Sequence, residues 1–209
     1  MWEALRYPLR GEHAEKTLLS AWLCVLLHAI VLPVLALLPL VGYAATVLAR
    51  GEEPTPPPFL EWSLLGRSLG AAALTVGYMT VPVGATLVTI LLFLDGEPPA
   101  EAEVLFFFVG STAALLVLAF FAYLLPIALA NYVREGSVKE GVKNLVGVAG
   151  HAAYFVGWAS GTVLFLLGGA VSSALLDAGG LFTVVGSFVG GYAVIVGSRR
   201  IGRGYAAAR

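Results

Sequence analysis

Charge is scarce in this sequence. Of its 209 residues, 12% are Asp, Glu, Lys or Arg, about half the ~25% usual in a soluble domain. Cysteine is scarcer still. Cys24 stands alone, which excludes a disulfide or a cysteine zinc cluster built within this sequence. No excess of one sign exists either. The net charge of −1 creates no field that would draw nucleic acid, so none is expected as a partner. No carboxylate falls inside any of the long apolar runs, which removes the usual partner of an intramembrane proton relay. Metal-ligand spacings, a Gly-x-Ser-x-Gly elbow and a phosphate-binding loop are all missing. The expectation is a protein without cofactor and without catalytic chemistry.

What is present is apolar. Hydrophobic residues make up 59% of the chain, and the mean hydropathy is +0.89. Uncharged runs occupy 17–49, 68–94, 104–133 and 147–176, with a shorter fifth at 180–198. Runs of ~18 apolar residues or more read as membrane spans. The fold class expected is therefore all-α: a single polytopic membrane bundle over 1–209.

The basic residues set a direction. Arg6, Arg10 and Lys16 precede the first run, and Arg50 and Arg67 follow it. Arg134, Lys139 and Lys143 follow the third run, and Arg199, Arg200, Arg203 and Arg209 follow the last. Basic residues collect on the cytoplasmic side. Both termini, the 50–67 linker and the 134–146 linker are thus expected in the cytoplasm. The acidic 95–103 linker, with Asp95, and the 177–179 turn are expected outside.

That assignment makes the first run enter and leave on one side. As one helix it would be ~50 Å long at ~1.5 Å per residue, against a hydrocarbon core of ~30 Å. Pro33 and Pro39 interrupt it. The reading preferred is two short helices, 17–32 and 36–49, as a hairpin that spans fully or re-enters. The rival is one long kinked helix. The preferred reading gives about six membrane helices.

The chain also repeats itself. "GAAALTVGYMT" (70–80) and "GHAAYFVGWAS" (150–160) share five of eleven positions and lie two crossings apart. Helices so separated run the same way, so the repeat is parallel, with copies at about 36–94 and 118–176. Each copy is entered through an amphipathic stretch expected at the cytoplasmic interface. "FLEWSLLGRSLG" carries the interfacial Trp62. "SVKEGVKNLVG" groups Val138, Val142, Leu145 and Val146 on one face, with a Ser137/Glu140 capping box.

Small residues let helices approach closely in lipid. Gly66/Gly70, Gly157/Gly161 and Gly186/Gly190 are Gly-x-x-x-Gly pairs and are expected packing faces, within the bundle or between copies of the chain. His28 and His151 are the candidate intramembrane polar groups. Arg199, Arg200 and Arg203 are the candidate contacts to anionic lipid headgroups. The expected partners are membrane lipids, with a homo-oligomer or a membrane-protein partner as the expected assembly.

The stretches "EALRYPLRG", "RGEEPTPPPFLEW", "LPIALANYVREGS" and "GSRRIGRGY" resemble an archaeal, largely haloarchaeal, family of multi-span membrane proteins catalogued as a domain of unknown function. That family is distantly similar to the membrane domain attached to glycerophosphodiester phosphodiesterases. The resemblance implies a multi-helix domain in an archaeal cytoplasmic membrane and transfers no catalytic residues. The function expected is non-enzymatic lipid or protein packing, as an accessory subunit or membrane organiser. The alternative is a small-solute channel or transporter, lined by hydroxyls such as Thr75, Thr80, Ser160 and Thr162.

Overall fold

The computed structural model describes residues 2–31, 33–61, 63–92 and 101–209. Trp62, Asp95 and the 95–100 part of the acidic linker lie outside the described residues. Among the described residues all regular structure is helical. The helices are α1 (Trp2–Arg6), α2 (Ala14–Ile30), α3 (Leu38–Ala49), α4 (Ser63–Leu92), α5 (Glu101–Glu135), α6 (Val138–Gly141), α7 (Leu145–Ala149), α8 (Ala152–Ala178) and α9 (Leu181–Ala207).

Among the described residues, four segments are long and apolar enough to cross a membrane: Ser63–Leu91, Phe107–Glu135, Ala152–Ala178 and Leu181–Ala207. The first apolar run divides as its prolines require. Pro33 stands in the break. Pro39 falls in the first turn of α3, where a missing N–H costs nothing. The 17 residues of α2 and the 12 of α3 make helices of ~25 and ~18 Å. Of the six membrane helices expected, four have spanning length among the described residues, and α2 and α3 are shorter.

Two antiparallel pairs frame the molecule. In α4–α5, Gly70 abuts Tyr132, Tyr78 meets Phe121 edge-on at 6.0 Å, and Gly110 faces Thr89. In α8–α9 the approach is closer. A Cβ at Gly157 would lie 2.6 Å from Gly204 Cα, and one at Gly186 2.9 Å from the Ser172 carbonyl. α2 lies along α9, with Ala21 against Gly191 and the Trp22 indole donating to the Val184 carbonyl at 3.1 Å.

α3 is the axis of the bundle. Leu40, Gly42, Tyr43 and all of 45–49 are buried, as a helix apolar all round should be. One face joins Ile127 and Tyr132 of α5, Tyr154 of α8 and Ile201 of α9. The other joins Tyr7, Ala21 and Val25 of α2, and Phe59.

Prolines inside the long helices create a need that tertiary packing meets. Pro126 of α5 cannot donate to the Ala122 carbonyl, and lipid offers no donor either. The Trp158 indole N–H of α8 bonds that carbonyl at 3.1 Å. Trp158→Phe should therefore cost about 1–2 kcal/mol. In a Pro126→Ala background, where residue 126 regains its N–H, the same change should cost much less. Unfolding midpoints of the four variants in one detergent measure the coupling. Equal costs in both backgrounds would exclude this account.

All the basic segments meet at one end. Glu3 pairs with Arg203 at 2.7 Å, Tyr7 Oη donates to the Thr55 carbonyl, Arg134 to the Ala49 carbonyl, and Arg209 pairs with Glu135. α4 and α8 both start from this end and so run the same way.

The repeated stretches nevertheless occupy different surroundings. Gly70 abuts Tyr132, whereas its counterpart Gly150 ends α7. Gly77 has nothing within 4 Å of its Cβ position, whereas its counterpart Gly157 abuts Gly204. Tyr78 and Trp158 do address one helix, through Phe121 and Tyr123.

The entry stretches also depart from expectation. Of "FLEWSLLGRSLG", the described part is non-helical at 59–61 and forms the first turns of α4 from Ser63 on, with Phe59 stacked on Tyr43 at 4.6 Å. "SVKEGVKNLVG" is broken into α6 and α7 at Asn144, which is left-handed, and Ser137 makes no side-chain capping bond. The break divides the apolar face. Leu145 packs against the core, while Val138, Val142 and Val146 stay exposed.

Candidate functional site

The end where the basic segments meet gathers arginines, tyrosines and backbone carbonyls, and it is built on the last turn of α3. The final carbonyls of a helix have no intrahelical donor and carry its negative dipole end. Here two arginines meet them. Arg134 donates to the Ala49 carbonyl at 3.4 Å. Arg199 donates to the Gly51 carbonyl at 2.7 Å and the Arg50 carbonyl at 3.3 Å. Its guanidinium also lies 4.5 Å over the Tyr7 ring. Only 7% of Arg199 is exposed, so it is a core residue. Close backbone contact seals the junction, since a Cβ at Gly51 would collide with the Gly202 carbonyl.

Tyrosines bind the proline-rich linker to this junction. Tyr43 Oη donates to the Pro57 carbonyl at 2.9 Å and Tyr7 Oη to that of Thr55 at 3.2 Å. Burial pushes the Tyr7 phenol up to about 12, against the pull of the neighbouring Arg199 charge. Tyr205 donates to Asn131 at 2.6 Å and Tyr154 to the Tyr123 carbonyl at 2.6 Å.

The three arginines singled out for lipid headgroups are thus already engaged. Arg199 is spent on α3 and Arg200 donates to Ser160 Oγ at 2.8 Å. Arg203 is exposed but neutralised by Glu3. Arg203, by hydrogen bond and then by charge, holds the Glu3 carboxyl below the usual carboxylate range.

The two histidines serve backbone turns. His28 Nδ1 accepts from the Val34 N–H at 3.0 Å in the break between α2 and α3. Val34 has a φ of 68°, a strained value for a β-branched residue, and the imidazole satisfies the amide this turn exposes. His151 precedes α8 and bonds the Gly147 carbonyl through Nδ1 at 2.7 Å. Three of the four hydroxyls considered as a solute path bond within their own helices. Thr75, Thr80 and Ser160 each donate to the carbonyl four residues back.

Of the six glycines, Gly157, Gly161 and Gly186 face backbone atoms across the α8–α9 seam, Gly190 faces Ser172 Oγ, and Gly70 faces the Tyr132 ring. Gly66 has nothing within 4 Å of its Cβ position.

Among the described residues, two grooves on the outer surface stand out. One, of about 360 Å³, runs between α8 and α9 and is lined by Leu167, Val171, Phe188 and Val196, with Leu5 of α1. The other, of about 530 Å³, lies between α2, α3 and the start of α4, and includes Cys24, Phe59 and Glu61. Glu61 is paired with Arg67 at 3.6 Å and accepts from Ser63 at 3.1 Å. Among the described residues no group of three or more His, Cys, Asp or Glu could hold a metal ion.

Sequence reasoning missed the buried role of Arg199, because it ended the last span at Ser198. The helix runs on to Ala207. The signal was the run of small and apolar residues at Gly197, Ile201, Gly204 and Tyr205, which keeps helical period straight through the arginines.

The family model described as "Protein of unknown function (DUF4013)" matches residues 25–177. The match covers most of the chain, and the chain belongs to this family. No curated protein and no solved structure matches it.

Proposed function

We propose that this DUF4013 member is a non-enzymatic integral membrane domain acting in lipid or protein packing, as an accessory subunit or membrane organiser. The reading places six helices in the bilayer, with α2 and α3 as the proline-broken pair, the glycine seams as packing faces, and α1 and α6–α7 at the interface. The end where the basic segments meet faces the cytoplasm, with both termini. The membrane is the cytoplasmic membrane of an archaeal cell, as the sequence resemblance implies.

The observation that carries this reading is the distribution of burial. In the candidate spans of α4 and α8, only 11% of the most apolar window is buried, while the basic ends are tied together by buried arginine and tyrosine contacts. Spans that bury so little of themselves leave long apolar faces for lipid or partner helices.

Two measurements test it. Thr55→Cys, in a Cys24→Ala background, should react with an impermeant thiol reagent only from the cytoplasmic side. Labelling from outside would overturn the orientation. Vesicles containing the purified protein should pass small solutes no faster than empty vesicles, while mild purification should retain lipids or a membrane partner. Solute flux above background would overturn the packing reading in favour of a channel.

A further inference from the structure

The α8–α9 groove is apolar and borders a basic segment. Its walls are Leu164, Leu167, Val171, Phe188 and Val196, with Leu5 of α1 contributing to them. Tyr192, which also lines it, spends its hydroxyl on the Leu5 carbonyl. The groove lies within two helices long enough to cross a bilayer, so its contents are set by hydrocarbon rather than water.

Two features decide between a lipid chain and a protein helix as occupant. First, Leu5 of α1 lines the groove together with α8 and α9, so a third element bounds a space of about 360 Å³. A flexible chain fits such a space, whereas a helix ~10–12 Å across does not. Second, the segment that supplies Leu5 holds unspent positive charge. Arg6 and Arg10 are exposed, and neither makes an ion pair among the described residues. Arg6 follows Leu5 directly and lies 5.1 Å from the Trp2 ring, the aromatic suited to the headgroup level. Arg10 is near enough to add to the lowering of Glu3. Glu3 itself is held by Arg203, and Glu12 and Glu15 come after the turn at Gly11, which packs toward Thr55.

We propose that this groove holds one acyl chain of an anionic membrane lipid, with the headgroup between Arg6 and Arg10. The site rests on the membrane-packing reading above and moves lipid recognition from the C-terminal arginines to the N-terminal segment.

The test uses the full chain in nanodiscs of phosphatidylcholine with a minor share of phosphatidylglycerol of the same chains. Native mass spectrometry then counts the lipid retained. The wild type should keep one phosphatidylglycerol per chain and discriminate against phosphatidylcholine. Arg6→Gln with Arg10→Gln should weaken retention about 30-fold, given what two basic residues contribute at an anionic surface. Leu167→Trp, at a position 62% exposed, fills the groove without touching the seam and should displace the lipid. Lys139→Gln, at the same end but on α6, should change nothing.

Retention unaffected by both the arginine and the tryptophan variants would overturn the site. So would an equal loss with Lys139→Gln, or a lipid-free dimer as the main species. The failure is separable from that of the functional reading. Solute flux with the lipid still bound removes the packing function and leaves the site. An absence of flux with no lipid bound removes the site and leaves the function.

Discussion

Gly157→Ala is expected to destabilise the protein by about 1–3 kcal/mol, while Gly77→Ala, at the matching position of the repeated stretch, leaves stability within about 0.5 kcal/mol or raises it slightly. The two glycines have the same sequence neighbourhood, Val-Gly followed by an aromatic residue. They differ in what a methyl group would meet. At Gly157 it would lie 2.6 Å from Gly204 Cα, 3.0 Å from Gly204 N and 3.2 Å from the Arg200 carbonyl. All three are backbone atoms of α9, so no rotamer can yield and the helices must part. Parting them weakens the seam along its length, because Gly161 and Gly197 are in the same close register. At Gly77 there is nothing within 4 Å, and alanine brings only its better helix propensity. Denaturation by heat or by added SDS, followed in one detergent, measures both variants. Equal responses, or no response at Gly157, would remove the seam as a source of stability.

The same contrast explains what the sequence could and could not convey. Charge position was legible. Basic residues partition to one face of the membrane whatever the bundle's internal order, and the four basic segments do meet at one end. The break at Pro33 was legible because proline lacks the N–H that a helix needs. Burial was not. Lipid is as apolar as a protein core, so the sequence of α3, buried on every side, reads like the exposed faces of α4 and α8. Gly66 and Gly70 illustrate the limit at one motif. Four residues apart, they should share a face, yet only Gly70 has a neighbour there, the Tyr132 ring. The capping box at Ser137 and Glu140 failed for a related reason. Glu140 is taken by Lys143 at a contact of 2.5 Å, and the stretch packs as two short turns against α5. Of the candidate site, the arginines were visible as a cluster, but their orientation depended on where α3 ends, a tertiary fact.

Arg199→Met should lower stability by about 2–3 kcal/mol and free the 50–61 linker. The sign needs argument, because burying a guanidinium is itself unfavourable and methionine removes that cost. What methionine cannot do is donate. The Gly51 carbonyl, just past the negative end of α3, would lose its donor, while the Arg50 carbonyl would keep only the Glu53 N–H at 3.1 Å. The Gly51 carbonyl cannot turn to water while Gly51 remains pressed against Gly202. Each charge-assisted bond of this kind contributes about 1.5–3 kcal/mol, and the stacking on Tyr7 adds to the loss. The orphaned Gly51 carbonyl, the weakened bonding at Arg50 and the lost stacking together outweigh the relief of desolvation. Arg199→Lys should fall between, because an ammonium keeps the charge but cannot both reach two carbonyls and lie flat on a ring. Arg134→Met should cost under about 1 kcal/mol, since Arg134 is exposed and its bond is long at 3.4 Å. The second readout is local. In the Thr55→Cys, Cys24→Ala protein, thiol labelling should speed up when Arg199 is replaced by Met, and change little when Arg209, in an exposed pair with Glu135, is replaced. A structural side chain that merely fills space would lower the melting point without exposing residue 55 before global unfolding. Early exposure identifies Arg199 as the bond that holds the linker, α3 and α9 as one unit.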